Sequence, residues 1–430
     1  MELFSLATPQ MRAFHMTWFA FFLCFFAWFG IAPLMAIIRD ELGLTKAQIG
    51  NTIIASVLVT VIARLFIGWC CDRFGPRLTY TWLLVVCSFP VMGVGLAHNY
   101  ETLLLFRLAI GAIGASFVIT QYHTSIMFAP NVVGTANATT AGWGNMGSGA
   151  TQLVMPLLFA GLLAIGVSAP GAWRVAMVAA GMVCLLTGLA YYRFTQDTPE
   201  GNFKELRAKG LLPEKESVKG TFMEACRDSR VWSLFLVYAA CFGVELTINN
   251  IAALYFMDDF GLSLMGAGAV AACFGLMNIF ARTLGGFCAD RFGLRWGLRG
   301  RVGCLATVLA LEGLTLMVFS QMTVLPLAIA AMIVFSLFVK MAQGATFSIV
   351  PFINKRALGS VAGIVGAGGN FGAVCAGFLL TSEAMSWSTA LLIMGVVVLL
   401  CAAITTRLRF SEADEAQARE ELERLTEALA

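Results

Sequence analysis

Two arginines stand where an apolar helix would least tolerate them. Arg64 opens the run RLFIGWCCDRFGPR and Arg282 opens RTLGGFCADRFGLR; aligned from those arginines, the two runs agree at eight of fourteen positions. A guanidinium stays charged at any relevant pH, and placing one mid-helix in a bilayer costs about 2.5–3.5 kcal/mol. Because that cost recurs at repeat-related places, the pair points to a central anion site. The chemistry on offer is recognition, since a planar fork of N–H donors can address two oxygens of a planar oxyanion at once. The chain has no nucleophile beside a base, no nucleotide loop and no metal-ligand cluster, so neither catalysis nor a cofactor or metal is expected.

Other polar side chains also fall in apolar runs. Glu245 lies in the middle of YAACFGVELTINN and is the leading candidate for carrying a proton, because intramembrane acids are often functional. The alternative is a neutral or hydrogen-bonded Glu that ties helices together. His123, Glu312 and Lys340 are secondary candidates. Asn145 and Asn370 each sit inside a glycine-rich stripe, where an amide either orients a ligand or hydrogen-bonds between helices.

Membrane helices must position all of these. Hydrophobic residues make up 59% of the chain and charged ones 12%, with a mean hydropathy of +0.82. A soluble protein would not keep such a surface. Twelve all-α spans are expected at 14–38, 49–71, 78–97, 102–128, 135–166, 170–193, 231–257, 264–289, 302–321, 324–350, 358–383 and 386–408. The domains are then a six-helix half (1–194), a central loop (195–230) that reads as a solvated connector with one surface helix, a second six-helix half (231–410) and a charged tail (411–430).

Basic residues set the orientation. With both termini inside, 21 of the 28 Lys and Arg fall on the cytoplasmic side, eight of them from Arg193 to Arg230, and only Arg39, Lys46 and Arg174 fall outside. The net charge of +3 is thus a topology signal and carries no inference of nucleic-acid binding. The first apolar stretch is too long for a cleaved signal and is expected to remain as a span. The twelve cysteines are scattered through apolar segments and read as free thiols.

The loop after each arginine has the form G-x-x-x-D-R-x-G-x-R, with Asp72 and Arg73 in the first copy and Asp290 and Arg291 in the second. Arg107, Gly111 and Gly114 add an R-x-x-x-G-x-x-G run in the fourth span. These patterns resemble those of the major facilitator superfamily, which implies two pseudo-symmetric halves rocking about a midplane site, with Asp72, Arg73, Asp290 and Arg291 as structural residues of the gate loops. A narrower resemblance lies in AGWGNMGSG (141–149) and GAGGNFGAV (366–374), where Gly144-Asn145 and Gly369-Asn370 recur. Together with the arginines they look like the paired signatures of the nitrate/nitrite porter family, in its assimilatory, high-affinity branch. That resemblance implies that Arg64 and Arg282 clamp nitrate or nitrite, that Phe117 lies against the face of the anion and that Tyr238 donates a hydroxyl, each aromatic being otherwise ordinary packing.

The resemblance implies a cell-membrane importer in nitrate assimilation. Importing an anion against an inside-negative potential costs about 2.3 kcal/mol per 100 mV, so accumulation needs compensation. Nitrate carries no proton itself, hence H⁺ symport needs a titratable protein group, whereas nitrate/nitrite antiport needs none. A small organic-anion exchanger and a membrane nitrate sensor are the other readings, the first disfavoured by the Gly-Asn pair and the second by the absence of an added cytoplasmic domain.

Overall fold

The structure, a computed structural model, describes residues 6–128, 133–211, 221–354, 358–382, 385–412 and 414–416. Among them the chain is helical, with no strand. The membrane helices are α1 (Pro9–Leu42), α2 (Lys46–Phe74), α3 (Pro76–Leu96), α4 (Tyr100–Met127), α5 (Thr139–Ala164), α6 (Ala169–Phe194) and α7 (Ser229–Asp258). A 57-residue helical stretch, Leu264–Ser320, follows. Non-helical dihedrals at Trp296 and Gly297 break it into α8 (264–295) and α9 (298–320). The last three are α10 (Leu325–Ile349), α11 (Leu358–Leu380) and α12 (Trp387–Ile404). Expected spans eight and nine are therefore one stretch with a sharp corner rather than helices joined by a loop.

Local sequence sets the boundaries. Thr8 caps α1, with Pro9 at its first position. Gly43 ends that helix in the left-handed conformation, at φ 63°. Thr45 and Gln48 form a capping box on α2, as Asn99 and Thr102 do on α4. The most apolar windows of α1 and α7 are 89% and 78% buried, against 39–56% for every other span, so these two are the interior helices. On α2, Leu58, Ile62, Phe66 and Trp69 form an exposed apolar stripe at helical spacing, a face suited to lipid.

The chain divides into two compact units. Unit 1 holds Met1–Glu216, Ile248–Ile279 and Leu380–Glu383; unit 2 holds Ser217–Thr247, Phe280–Leu379 and Ala384–Ala430. Inside unit 1, Arg107 is fully buried and donates to Trp28 O (2.9 Å), Ser56 Oγ (3.1 Å) and Asn250 Oδ1 (3.0 Å). Gln152 Nε2 donates to Asn249 O at 2.6 Å, and Arg39 reaches both carboxylate oxygens of Asp258 at 2.8 Å. These bonds anchor the second part of α7. A Cβ on Gly111 would lie 2.3 Å from Ser56 O, so glycine lets α4 meet α2 at backbone distance.

In each unit a carboxylate that follows a membrane helix, Asp197 after α6 and Glu415 after α12, caps the start of another helix. In unit 1, Asp197 accepts from Arg77 N (2.8 Å) at the start of α3 and from Phe203 N (2.9 Å). Gly75, at φ 88°, precedes α3, and a Cβ there would strike the Asp197 carboxylate. In unit 2, Glu415 accepts from Leu298 N (2.8 Å) and Arg299 N (3.1 Å) at the start of α9. Gly297, at φ 65°, precedes it, and its Cβ would meet the Glu415 carboxylate. The alignment that places Arg64 on Arg282 also places position 197 on position 415. Burial of Asp197 raises its pKa, partly offset by the N–H groups of Phe203 and Arg77.

The central loop is more than a solvated connector. Helix Phe203–Ala208 buries Phe203 and Leu206, and a second short helix covers Thr221–Arg227. Residues 212–220 of the loop and 417–430 of the tail lie outside the described residues.

Candidate functional site

In unit 1, α2 presents Arg64 and α4 presents Phe117. The guanidinium carbon lies 5.7 Å from the centre of the Phe117 ring, within cation–π range. Phe117 in turn meets Phe21 of α1, ring centres 5.9 Å apart. Behind Phe21 stands Gly144 of α5, where an added Cβ would fall 1.9 Å from the ring. The next residue, Asn145, is buried, and neither its amide nitrogen nor its oxygen has a hydrogen-bond partner among the described residues.

Unit 2 repeats the arrangement. Arg282 of α8 donates from Nη2 to the hydroxyl of Tyr238 on α7 at 3.1 Å. Tyr238 stacks on Phe242, ring centres 5.2 Å apart and planes 14° from parallel, and meets Phe347 edge-on at 5.0 Å. Behind Phe242 stands Gly369 of α11, whose Cβ would fall 2.3 Å from the ring. Asn370 follows, fully buried, its amide likewise without a hydrogen-bond partner among the described residues. Thus each Gly-Asn pair does two things: the glycine admits a phenylalanine that backs the arginine's aromatic partner, and the asparagine carries polar atoms that protein groups leave unsatisfied.

Arg282 Nη1 is also buried with no acceptor, and among the described residues no carboxylate lies within ion-pair distance of this guanidinium. Buried polar groups are rarely left so. An arginine with one donor spent on a phenol and another open is suited to a small anion.

Glu245 is not solitary. Lys340 Nζ of α10 lies 2.8 Å from its Oε1, both side chains buried, and Gln343 Nε2 donates to its Oε2. These bonds occupy both carboxyl oxygens of the acid that the sequence left open between a proton carrier and a helix tie. Glu312 of α9 is fully buried and has no hydrogen-bond partner at either carboxyl oxygen. His123 is held at both ring nitrogens. Its Nε2 donates to Gln196 O at 2.8 Å, which leaves Nδ1 to accept from Tyr191 Oη at 2.6 Å. That tyrosine hydroxyl is itself bonded to Thr17 Oγ1 at 2.8 Å.

The residues expected in the two repeated loops lie in helices instead, Asp72 and Arg73 at the end of α2 and Asp290 and Arg291 in α8, because helix continues past each apolar run, and their contacts differ between copies. The side chain of Asp72 lies outside the described residues. Arg73 is exposed, 5.4 Å from the Trp69 ring centre, and its carbonyl accepts from Arg207. Asp290 pairs with Arg301, while Arg291 is exposed. Gln343, Phe21, Phe242 and the two capping carboxylates were not singled out by sequence. For the caps one signal was available, their matching places in the aligned halves.

Comparison with known proteins agrees with this architecture. The family model described as Major Facilitator Superfamily matches residues 17–354 and 249–429. The High affinity nitrate transporter 2.5 of Arabidopsis thaliana is 42% identical over 401 residues, covering 93% of this chain and 80% of that protein. The Nitrate/nitrite transporter NrtP of Nostoc punctiforme is 31% identical over 93% of this chain and 92% of its own length. Among solved structures, a bacterial homologue of the human lysosomal transporter Spinster, inward-facing and unoccupied, superposes with a TM-score of 0.74 at 17% identity, covering 94% of this chain and 99% of that one. From the superfamily match over most of its length and the relatives above, the chain belongs to the major facilitator superfamily, as a multi-pass membrane transporter of the high-affinity nitrate transporter family and not an enzyme.

Proposed function

We propose that this protein imports nitrate, and also accepts nitrite, across the cell membrane by alternating access with H⁺ symport, serving nitrate assimilation. The observation that carries the anion is Arg282, with one N–H on Tyr238 and another buried and unmatched. Arg64 against Phe117 is its counterpart in unit 1, and each arginine is assigned the same kind of role toward the anion. Asn145 and Asn370 orient it. The relatives' names supply its identity as nitrate, and the planar fork suits it. Both termini are cytoplasmic by the distribution of basic residues.

Proton coupling is assigned to the buried group built on Glu245 and Lys340, because an imported anion needs a compensating positive charge. The competing reading is nitrate/nitrite exchange. Nitrate uptake into proteoliposomes separates them: an imposed inward proton gradient should drive accumulation with no internal nitrite. Uptake that occurs only against internal nitrite would overturn symport.

A further inference from the structure

Unit 2 contains four charged or chargeable side chains in one buried neighbourhood: Arg282 on α8, Glu245 on α7, Lys340 on α10 and Glu312 on α9. Lys340 interacts electrostatically with the other three. Glu245 is committed to Lys340 and Gln343 by direct bonds. Glu312 has no such bond among the described residues, although it is fully buried. The titratable groups near enough to feel its charge are Glu245 and Cys241 on α7, Lys340 on α10 and Cys401 on α12. A carboxylate without a hydrogen bond in such a place is unfavourable, and a neutral carboxylic acid is tolerated.

Counting charge shows what this does. Arg282, Lys340 and ionised Glu245 sum to one positive charge. With nitrate on Arg282 the sum is zero, and Glu312 is then favoured neutral. Without nitrate, the remaining positive charge favours Glu312 as its carboxylate. Anion binding and proton binding at Glu312 therefore promote one another, as reciprocal linkage requires. We propose that Glu312, rather than Glu245, holds the transported proton, taking it from water as nitrate arrives and releasing it to water after nitrate leaves. Glu245 is the positioning residue that fixes Lys340 between the two events. This rests on the symport reading above.

The test is proton uptake on nitrate binding, measured in weakly buffered solution with the intact purified transporter. The wild type should take up about one proton per nitrate, with affinity falling about tenfold per pH unit above the titration of Glu312. Glu312→Gln, which mimics the protonated acid, should bind nitrate with no proton uptake and no pH dependence. In proteoliposomes it should exchange nitrate for nitrate yet fail to accumulate it under a proton gradient. Proton uptake that persists in Glu312→Gln would overturn the assignment to Glu312. No proton uptake by the wild type would overturn it too, and that measurement needs no variant to fold. Accumulation solely against internal nitrite would instead bring down the symport reading itself.

Discussion

Arg282 shows how much a single side chain must do. Lysine would keep the charge and lose the fork, so it could serve Tyr238 or the anion but not both with the same geometry. Arg282→Lys should weaken nitrate binding about 10–100-fold, the scale of one or two charge-assisted hydrogen bonds, as read by calorimetry. Tyr238→Phe removes only a neutral hydroxyl and should cost less than Arg282→Lys in the same measurement. A larger loss for the phenylalanine would place the anion on Tyr238 instead. The arginines were legible in sequence because charge in an apolar run is conspicuous. The aromatic behind each was not, because Phe21 and Phe242 look like any other apolar residue of α1 and α7 until the glycines of α5 and α11 are seen to make room for them. Glu245 was legible as an anomaly, yet its partners Lys340 and Gln343 lie 95 and 98 residues away.

Among elements, α5 and α11 matter through what they lack. Gly369→Ala would drive a methyl into the Phe242 ring, an overpacking that costs about 1–3 kcal/mol and tilts the ring on which Tyr238 stacks. Both a lower Tm and weaker nitrate binding should follow, whereas Gly363→Ala on the same helix, where a Cβ meets nothing within 4 Å, should leave both unchanged. The spans themselves were readable to within a few residues, since the length of each apolar run matches the hydrocarbon layer. The corner at Trp296–Gly297 was not, because the gap between apolar runs there reads as a loop and only the structure shows helix on both sides. Asp197 adds a pH signature at the start of α3. Its folded pKa is raised by burial, so the folded unit holds that proton more tightly than the unfolded chain does, and stability rises as pH falls through the raised value, above the usual one near about 4. Asp197→Asn should flatten that part of the curve of Tm against pH, and an unchanged curve would remove Asp197 as its source.

At the scale of the molecule, repetition is the main structural fact. Arginine, aromatic, phenylalanine and glycine recur in both units, and so does the carboxylate that caps α3 or α9. Glu415→Gln should lower Tm by an amount equivalent to about 1 kcal/mol, since a carboxylate on a helix N-terminus is worth roughly that, while nitrate binding stays intact. Each cap joins positions far apart in the chain, 120 residues for Arg77 with Asp197 and 117 for Leu298 with Glu415. During synthesis, the start of α3 therefore waits for its acceptor until α6 has been made, and the start of α9 waits until α12 has left the ribosome. A chain released just before residue 411 would hold every membrane helix and one finished corner, with the other still missing both bonds that Glu415 closes.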